Sequence, residues 1–194
     1  MHHIHHTHGF VISSRAIGEA NKMLVIYTRE LGLIRAAAQG IRRRESKLRF
    51  ALQDFSYAKI DLVRGRDIWR VTTAEAIDVF AYARSSNESL LLIARISKLI
   101  ERLCNGEEAN EVIFDDFIQA LYLLNDPDLS EESREALELH VVLRIMHALG
   151  YVGDAPLIKE YLAEPFKHAK TKDLLTQRAS IISHINKALN ESGL

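Results

Sequence analysis

Residues 55–73 read FSYAKIDLVRGRDIWRVTT, and the alternation within them decides the fold class. Ala58, Ile60 and Leu62 fall on one face of an extended chain while Tyr57, Lys59 and Asp61 fall on the other, the period-2 pattern of a half-buried strand. RGRD then supplies a turn in which Gly65 can take positive φ, and IWRVTT opens a second run of β-branched and aromatic residues. Toward the N-terminus, HGFVISS (8–14), KMLVIYTR (22–29) and LIRAAAQ (33–39) repeat the pattern, separated by the turn segments IGEAN and ELG, with Gly18 and Gly32 suited to positive φ. Five strands within about 75 residues leave no helix-sized insertion for parallel crossovers. The expectation is a small five-stranded antiparallel barrel, an OB-fold first and an SH3-like barrel as the alternative.

After Phe80 the period changes to helical. SNESLLLIARISKLIERLCNG places Leu92, Ile96, Leu99, Ile100 and Leu103 at steps of three and four, with Ser86 or Asn87 as a cap and Gly106 as a stop. NEVIFDDFIQALYLLND reads as a second helix, with Ile113, Phe117, Ala120 and Leu124 on one face. SEESREALELHVVLRIMHALGY reads as a third, capped by Ser130, with Glu131 and Glu132 in its first turn and Gly150 at its end. PLIKEYLA and KDLLTQRASIISHINKALNES complete the series. The class is therefore α+β: a barrel domain over residues 1–80 and an all-helical domain over residues 81–194.

The composition narrows the function classes. Of 194 residues 47% are apolar, enough for real cores, and the net charge of −1 conceals an asymmetry. Residues 1–80 carry 13 Lys or Arg against 8 Asp or Glu, and residues 81–194 carry 12 against 18. A basic first half attracts polyanions and an acidic second half repels them. Cys104 is the only cysteine, which excludes an internal disulfide or a cysteine-based zinc ribbon, and its setting is that of a helix-packing residue. No run of about 18 apolar residues and no secretory-type start is present, so the expected address is the cytoplasm, with no membrane partner.

The most informative polar stretch is GIRRRESKLRF, residues 40–50, where Arg42, Arg43, Arg44, Lys47 and Arg49 face a single acid, Glu45. On a loop projecting from a barrel these cations match the phosphate spacing of a nucleic acid; the bland reading is a solvated loop. Tyr57 and Trp69 could stack on bases, but aromatic residues in strands are read first as core. Phosphate-loop, HExxH, GxSxG and dinucleotide-binding patterns are absent, which argues against ATP-driven or hydrolytic chemistry. His140 and His147 lie about 10.5 Å apart along one helix, too far to chelate one ion, and Asp115 and Asp116 are read as a solvated helix face. The opening MHHIHHTHGFVIS reads as a native first strand, with His6, His8, Phe10 and Ile12 on one face and Thr7, Gly9 and Val11 on the other. At a barrel rim such histidines would add positive charge as pH falls and raise DNA affinity from about pH 8 to pH 6. A metal site built on them is the competing reading.

Residues 14–80 resemble the N-terminal OB-fold domain of the RecO family. The resemblance rests on Gly18, Glu19, Ala20 and Asn21; on Thr28, Glu30 and Gly32; on Gly40, Arg42 and Arg43; on Ser46, Lys47 and Leu48; and on Gln53, Phe55 and Ser56, with Asp54 where the family often has proline. The second half is similar to the family's helical domain mainly through LHVVLRIMHALGY. It lacks the four-cysteine zinc module of many members, so no metal or cofactor is carried over.

The resemblance implies a non-enzymatic recombination mediator in DNA repair. Such a protein binds single- and double-stranded DNA, anneals complementary strands, and works with RecR to load RecA onto DNA coated by single-stranded-DNA-binding protein, acting in the cytoplasm on the nucleoid. The residues assigned to nucleic acid are Arg35, Arg42, Arg43, Arg44, Lys47, Arg49, Arg64 and Arg66. Arg95, Lys98 and Arg102, spaced three and four along one helix, are assigned to the acidic tail of the coating protein, against the reading of an ordinary solvated stripe. The alternative function is a general OB-fold module for single-stranded DNA or RNA without a recombination partner.

Overall fold

In the computed structural model, which describes residues 3–77, 80–104, 106–153, 156–162, 166 and 171–191, every alternating segment forms a strand. These are β1 (Ile4–Ile17), β2 (Asn21–Thr28), β3 (Gly32–Ala38), β4 (Tyr57–Arg64) and β5 (Trp69–Ala76). They close in the order β1-β2-β3-β5-β4, the OB barrel rather than the SH3-like alternative. One pair departs from the expected antiparallel barrel: β3 and β5 run parallel, through Ala36↔Trp69 and Ala37↔Arg70. An odd number of strands cannot close with every neighbour antiparallel, so one parallel pair is obligatory.

β1 is the longest strand because it serves two neighbours. Ile4–Phe10 pairs with β4 and Gly9–Ile17 with β2, and a register shift between Val11 and Ser13 turns the strand from one ladder toward the other. The histidines therefore lie within a ladder, with His5, His6 and His8 opposite Leu62, Asp61 and Lys59. Thr7, Gly9 and Val11 are buried, as the alternation predicts. A Cβ on Gly9 would meet Ile26 Cγ2 at 2.8 Å and Ile60 Cδ1 at 2.9 Å, so the barrel admits no larger residue there without repacking.

Residues 40–50, expected to be loop throughout, end instead in a helical turn, α1 (Leu48–Ala51). Ala51 and Leu52 join the barrel core and Leu48 packs against it. These positions, i, i+3 and i+4, share one helix face, and that face plugs the barrel.

The outside of the barrel carries a second apolar layer. Phe10 stands opposite Tyr27 on β2 and Tyr57 on β4, which makes a three-strand aromatic row. Phe80 stacks on Tyr57 with centroids 5.9 Å apart, and Phe114 lies 5.5 Å from Tyr27. After α2 (Ala81–Ser85), α3 (Asn87–Leu103) starts at Ser86, whose hydroxyl accepts from the Ser89 N–H, and buries Leu92, Ile96, Ile100 and Leu103.

Two compact units result, Met1–Phe114 and Asp115–Leu194, and the border falls inside α4 (Glu111–Leu124). The first unit is thus larger than the barrel and includes α3. In the second, α5 (Glu131–Ala148) is capped by Ser130 and buries residues around its circumference, including Ala136, Leu139, Val141 and Ile145, which marks it as the central helix. Around it pack α6 (Pro156–Leu162), α7 (Thr171–Thr176) and α8 (Arg178–Glu191). The last two were expected as one helix; a turn at Gln177 separates them, although Gln177 N–H still donates to the Asp173 carbonyl at 3.1 Å. Asp116, expected on a solvated face, is buried and accepts from Arg144 Nε at 2.7 Å. Arg144 also reaches the Leu162 carbonyl at 3.1 Å, and His140 Nε2 lies 2.6 Å from the Tyr161 carbonyl.

Gly32 carries the tightest constraint on the barrel unit. Its φ is +70°, and a Cβ there would lie 2.4 Å from the Glu108 carbonyl oxygen and 2.8 Å from the Glu108 nitrogen. Gly32→Ala is expected to cost about 2–4 kcal/mol, because both the left-handed backbone and a backbone–backbone approach must give. Gly150→Ala, also at positive φ but facing open space, should cost only about 1 kcal/mol. Urea denaturation of the two variants beside the wild type measures the difference; equal losses would remove the close-approach argument.

Candidate nucleic-acid interface

The 40–50 segment is built by anchors at both ends. Gly40 N–H donates to Asn21 Oδ1 at 2.9 Å, Arg42 N–H to the Ala20 carbonyl at 2.9 Å, and the Arg42 guanidinium to the Gly18 carbonyl at 2.8 Å. Ile41 is buried, and α1 fastens the far end. The GEAN turn and the G-x-R segment, distant in sequence, thus lock together, and Arg42 is a positioning residue as well as a surface cation.

Between the anchors Arg43, Arg44, Lys47 and Arg49 are exposed, and none has a carboxylate partner among the described residues. Three other arginines are engaged. Arg29 pairs with Glu111 at 2.7 Å and Arg144 with Asp116 at 2.7 Å. Arg64 pairs with Glu107 and lies 4.8 Å over the Trp69 ring. Of the residues assigned to nucleic acid, Arg64 is therefore the one whose charge is already met within the protein.

Arg35 and Arg66 are exposed. Arg35 is on the outer face of β3, and Arg66 is in the β4–β5 turn, so these two and the 40–50 residues occupy different segments of the barrel. The β3–β5 register adds a residue that the sequence reading missed: Arg70, opposite Ala37, also points outward and is exposed. Its signal was the inward Trp69–Val71 alternation, but the pairing that sets it near Arg35 is not written in the sequence. Arg15 and Lys22 were missed as well. They flank the GEAN turn, Lys22 is paired with Ala38 just before the cationic segment, and its Nζ donates to Ser14 Oγ at 3.0 Å.

Of the two aromatic candidates, Trp69 is core and Tyr57 is half-buried on the outer wall. Trp69 is 4% exposed, its Nε1–H donates to Glu107 Oε1 at 3.1 Å, and His5 meets it edge-on at 5.0 Å. Tyr57 lies under Phe80. Cys104 is buried and burial pushes its thiol up, while its neighbour Tyr27 is pushed far above the usual phenol range by the same cause. Neither is ionised near neutrality.

The histidine patch has its own chemistry. His6 Nδ1 lies 2.6 Å from Asp61 Oδ1, and the Thr73 hydroxyl donates to Asp61 Oδ2 at 2.7 Å. They line a shallow groove of about 430 Å³ with His8 and Lys59. The His6 ring thus already faces a carboxylate of the protein. Among the described residues no three His, Cys, Asp or Glu side chains converge as metal ligands would. No described helix is long and apolar enough to cross a membrane.

This architecture is that of an OB-fold barrel protein bearing a pinned cationic loop. Comparison with known proteins makes the assignment specific. Residues 1–80 match the family model described as Recombination protein O N terminal. The chain is 33% identical to the DNA repair protein RecO of Alkaliphilus metalliredigens over 138 residues, 71% of this chain and 53% of that relative. It is 34% identical to the protein of the same name from Pelotomaculum thermopropionicum over 131 residues, 68% of this chain and 51% of that one. A third, from Dehalococcoides mccartyi, is 29% identical over 136 residues, 70% of this chain and 54% of the relative. Residues 1–80 belong to the RecO N-terminal family, and the chain spans about half the length of the curated relatives it matches.

Asp61 gives a pH signature to the patch. Its hydrogen bond from Thr73, then that from His6, hold its carboxyl below the usual carboxylate range. A depressed folded-state value contributes stability above the unfolded value near 3.9 and loses it as pH falls through the folded one. Asp61→Asn should therefore cost about 0.5 kcal/mol at pH 7, the scale of an exposed pair, with the deficit shrinking as pH falls below the unfolded value. Denaturation midpoints measured from pH 7 to pH 2.5 check this; a deficit constant with pH would show that the carboxylate charge is not its source.

Proposed function

We propose that the chain is the DNA-binding part of a recombination mediator in DNA repair, acting without covalent catalysis on chromosomal DNA in the cytoplasm. The observation that carries this reading is the 40–50 segment. Four exposed cations without carboxylate partners stand on an anchored loop of an OB barrel, in a family whose relatives are named for DNA repair. Arg35 and Arg70 add cations on the barrel wall and Arg66 one in the β4–β5 turn, and Arg42 holds the loop in place.

Annealing follows from this surface without nucleotide energy. Two complementary strands repel through their phosphates, and a protein that neutralises several phosphates while leaving the bases accessible removes that barrier. In this reading the partners are single- and double-stranded DNA, RecR, the single-stranded-DNA-binding protein and, through them, RecA. A strand-annealing assay with and without RecR separates it from the alternative of a general single-strand binding module, for which RecR would change nothing.

Phosphate contacts carry no base preference. Arg43→Ala and Lys47→Ala should each weaken binding to all sequences similarly and lower the magnitude of the salt slope by about one. Fluorescence anisotropy across a salt series on two unrelated sequences reads both quantities, and a loss confined to one sequence would contradict the assignment.

Arg95, Lys98 and Arg102 are exposed on one stripe of α3, which Leu91, 60% exposed, continues by one turn. A basic stripe ending in an apolar residue suits an acidic peptide with an apolar terminus. If the barrel holds a strand while α3 holds the coating protein's tail, local concentration favours handover. Lys98→Glu with Arg102→Glu is expected to abolish binding of that tail peptide in a titration, and unchanged affinity would remove the proposal.

A further inference from the structure

Phe50 is 71% exposed, more than any other large apolar side chain among those described. Its position is forced. α1 turns Leu48, Ala51 and Leu52 into the barrel, so the residue between them must project from the opposite face of that turn. Rotating the turn to bury Phe50 would withdraw the plug. The ring is therefore held outward by the packing beneath it, between Arg49 and the plug, on the segment that carries Arg43, Arg44 and Lys47.

We propose that Phe50 is a stacking platform for an unpaired base of single-stranded nucleic acid whose phosphates are held by the neighbouring cations. The inference rests on the polyanion-binding reading above and adds the part of the ligand that phosphate contacts do not distinguish. A protein partner would have to bring apolar surface past a run of cations that have no carboxylate partners. A single strand presents a flat apolar base face and an anionic phosphate in each repeat, and so satisfies the ring and the guanidinium groups together. In a duplex the base faces are occupied by their neighbours, so Phe50 discriminates strandedness where the arginines do not.

The test compares wild type, Phe50→Ala and Phe50→Trp on three labelled ligands of equal length: a single strand, its duplex, and an abasic single strand carrying the same phosphates. Phe50→Ala should weaken binding to the natural single strand by about tenfold, the scale of one lost stack. The salt slope should not change, since no charge is removed. Duplex and abasic affinities should stay at the wild-type value, which excludes a general disturbance of α1. Phe50→Trp should restore affinity, and the emission it adds to that of buried Trp69 should be quenched by the natural strand but not by the abasic one. Equal affinity of Phe50→Ala and wild type for the single strand overturns the proposal, as does an equal loss on all three ligands. Failure of the wild type to bind any of the three would instead overturn the nucleic-acid reading itself.

Discussion

Phe10 occupies the place where the two ladders of β1 overlap, opposite Tyr27 on one side and Tyr57 on the other. A strand shared between two neighbours has to bend, and the register shift just beyond Phe10 provides the bend. The same residue centres the aromatic row on the outer wall. Cross-strand aromatic pairs contribute about 0.2–1 kcal/mol each relative to an alanine pair, and Phe80 and Phe114 remove further apolar area from water by covering the row. The two tyrosines that flank Phe10 on the neighbouring strands meet Phe80 and Phe114, so the same row joins the barrel wall to the segments that follow it, and the first compact unit extends to Phe114.

The motifs shared with the family become physical in this setting. Thr28 is fully buried; its hydroxyl donates to the Gly32 carbonyl at 2.8 Å and accepts from Leu31 N–H at 3.1 Å, which closes the β2–β3 turn. Glu30 accepts from the Thr7 hydroxyl. Gly32 lets that turn lie against the backbone of Glu108, and Leu33 N–H donates to the Gly106 carbonyl at 3.0 Å. These are structural duties, and they leave the exposed cations of the 40–50 segment as the part of the pattern that the barrel itself does not need.

The strands were legible in the sequence because period-2 alternation survives wherever one face is buried, and β4 and β5 show it cleanly. The long helices were legible for the same reason at the helical period. α1 was not, because four residues are less than one full repeat of a helical pattern and lie inside a charge run that reads as loop. Asp116 was misread because its partner, Arg144, is 28 residues away and only tertiary packing brings the two to 2.7 Å. Gly65 was expected to supply positive φ; its value here is different, since the positive-φ glycines among the described residues are at 18, 32, 40, 106 and 150. A Cβ on Gly65 would instead lie 2.4 Å from the Ile68 carbonyl oxygen, so the turn requires glycine for space. Of the candidate site, the loop and its charges could be read directly, whereas Arg70 and the outward Phe50 depend on strand closure and on the plug.

The proposed function asks a chain of net charge −1 to hold a polyanion, and the charges are sorted by their partners. At physiological salt the screening length is about 8 Å, so a phosphate senses the cations it touches rather than the acidic residues elsewhere in the chain. Arg29, Arg64 and Arg144 each lie against a carboxylate, and a phosphate arriving there must compete with a group already in place. Arg43, Arg44, Lys47 and Arg49 offer their charge without that competition, and the anchors at Gly40, Arg42 and α1 limit the loop entropy lost on binding. On the proposed reading, cations that are both unpaired and anchored, more than the number of cations, mark the 40–50 segment as the place for a nucleic acid.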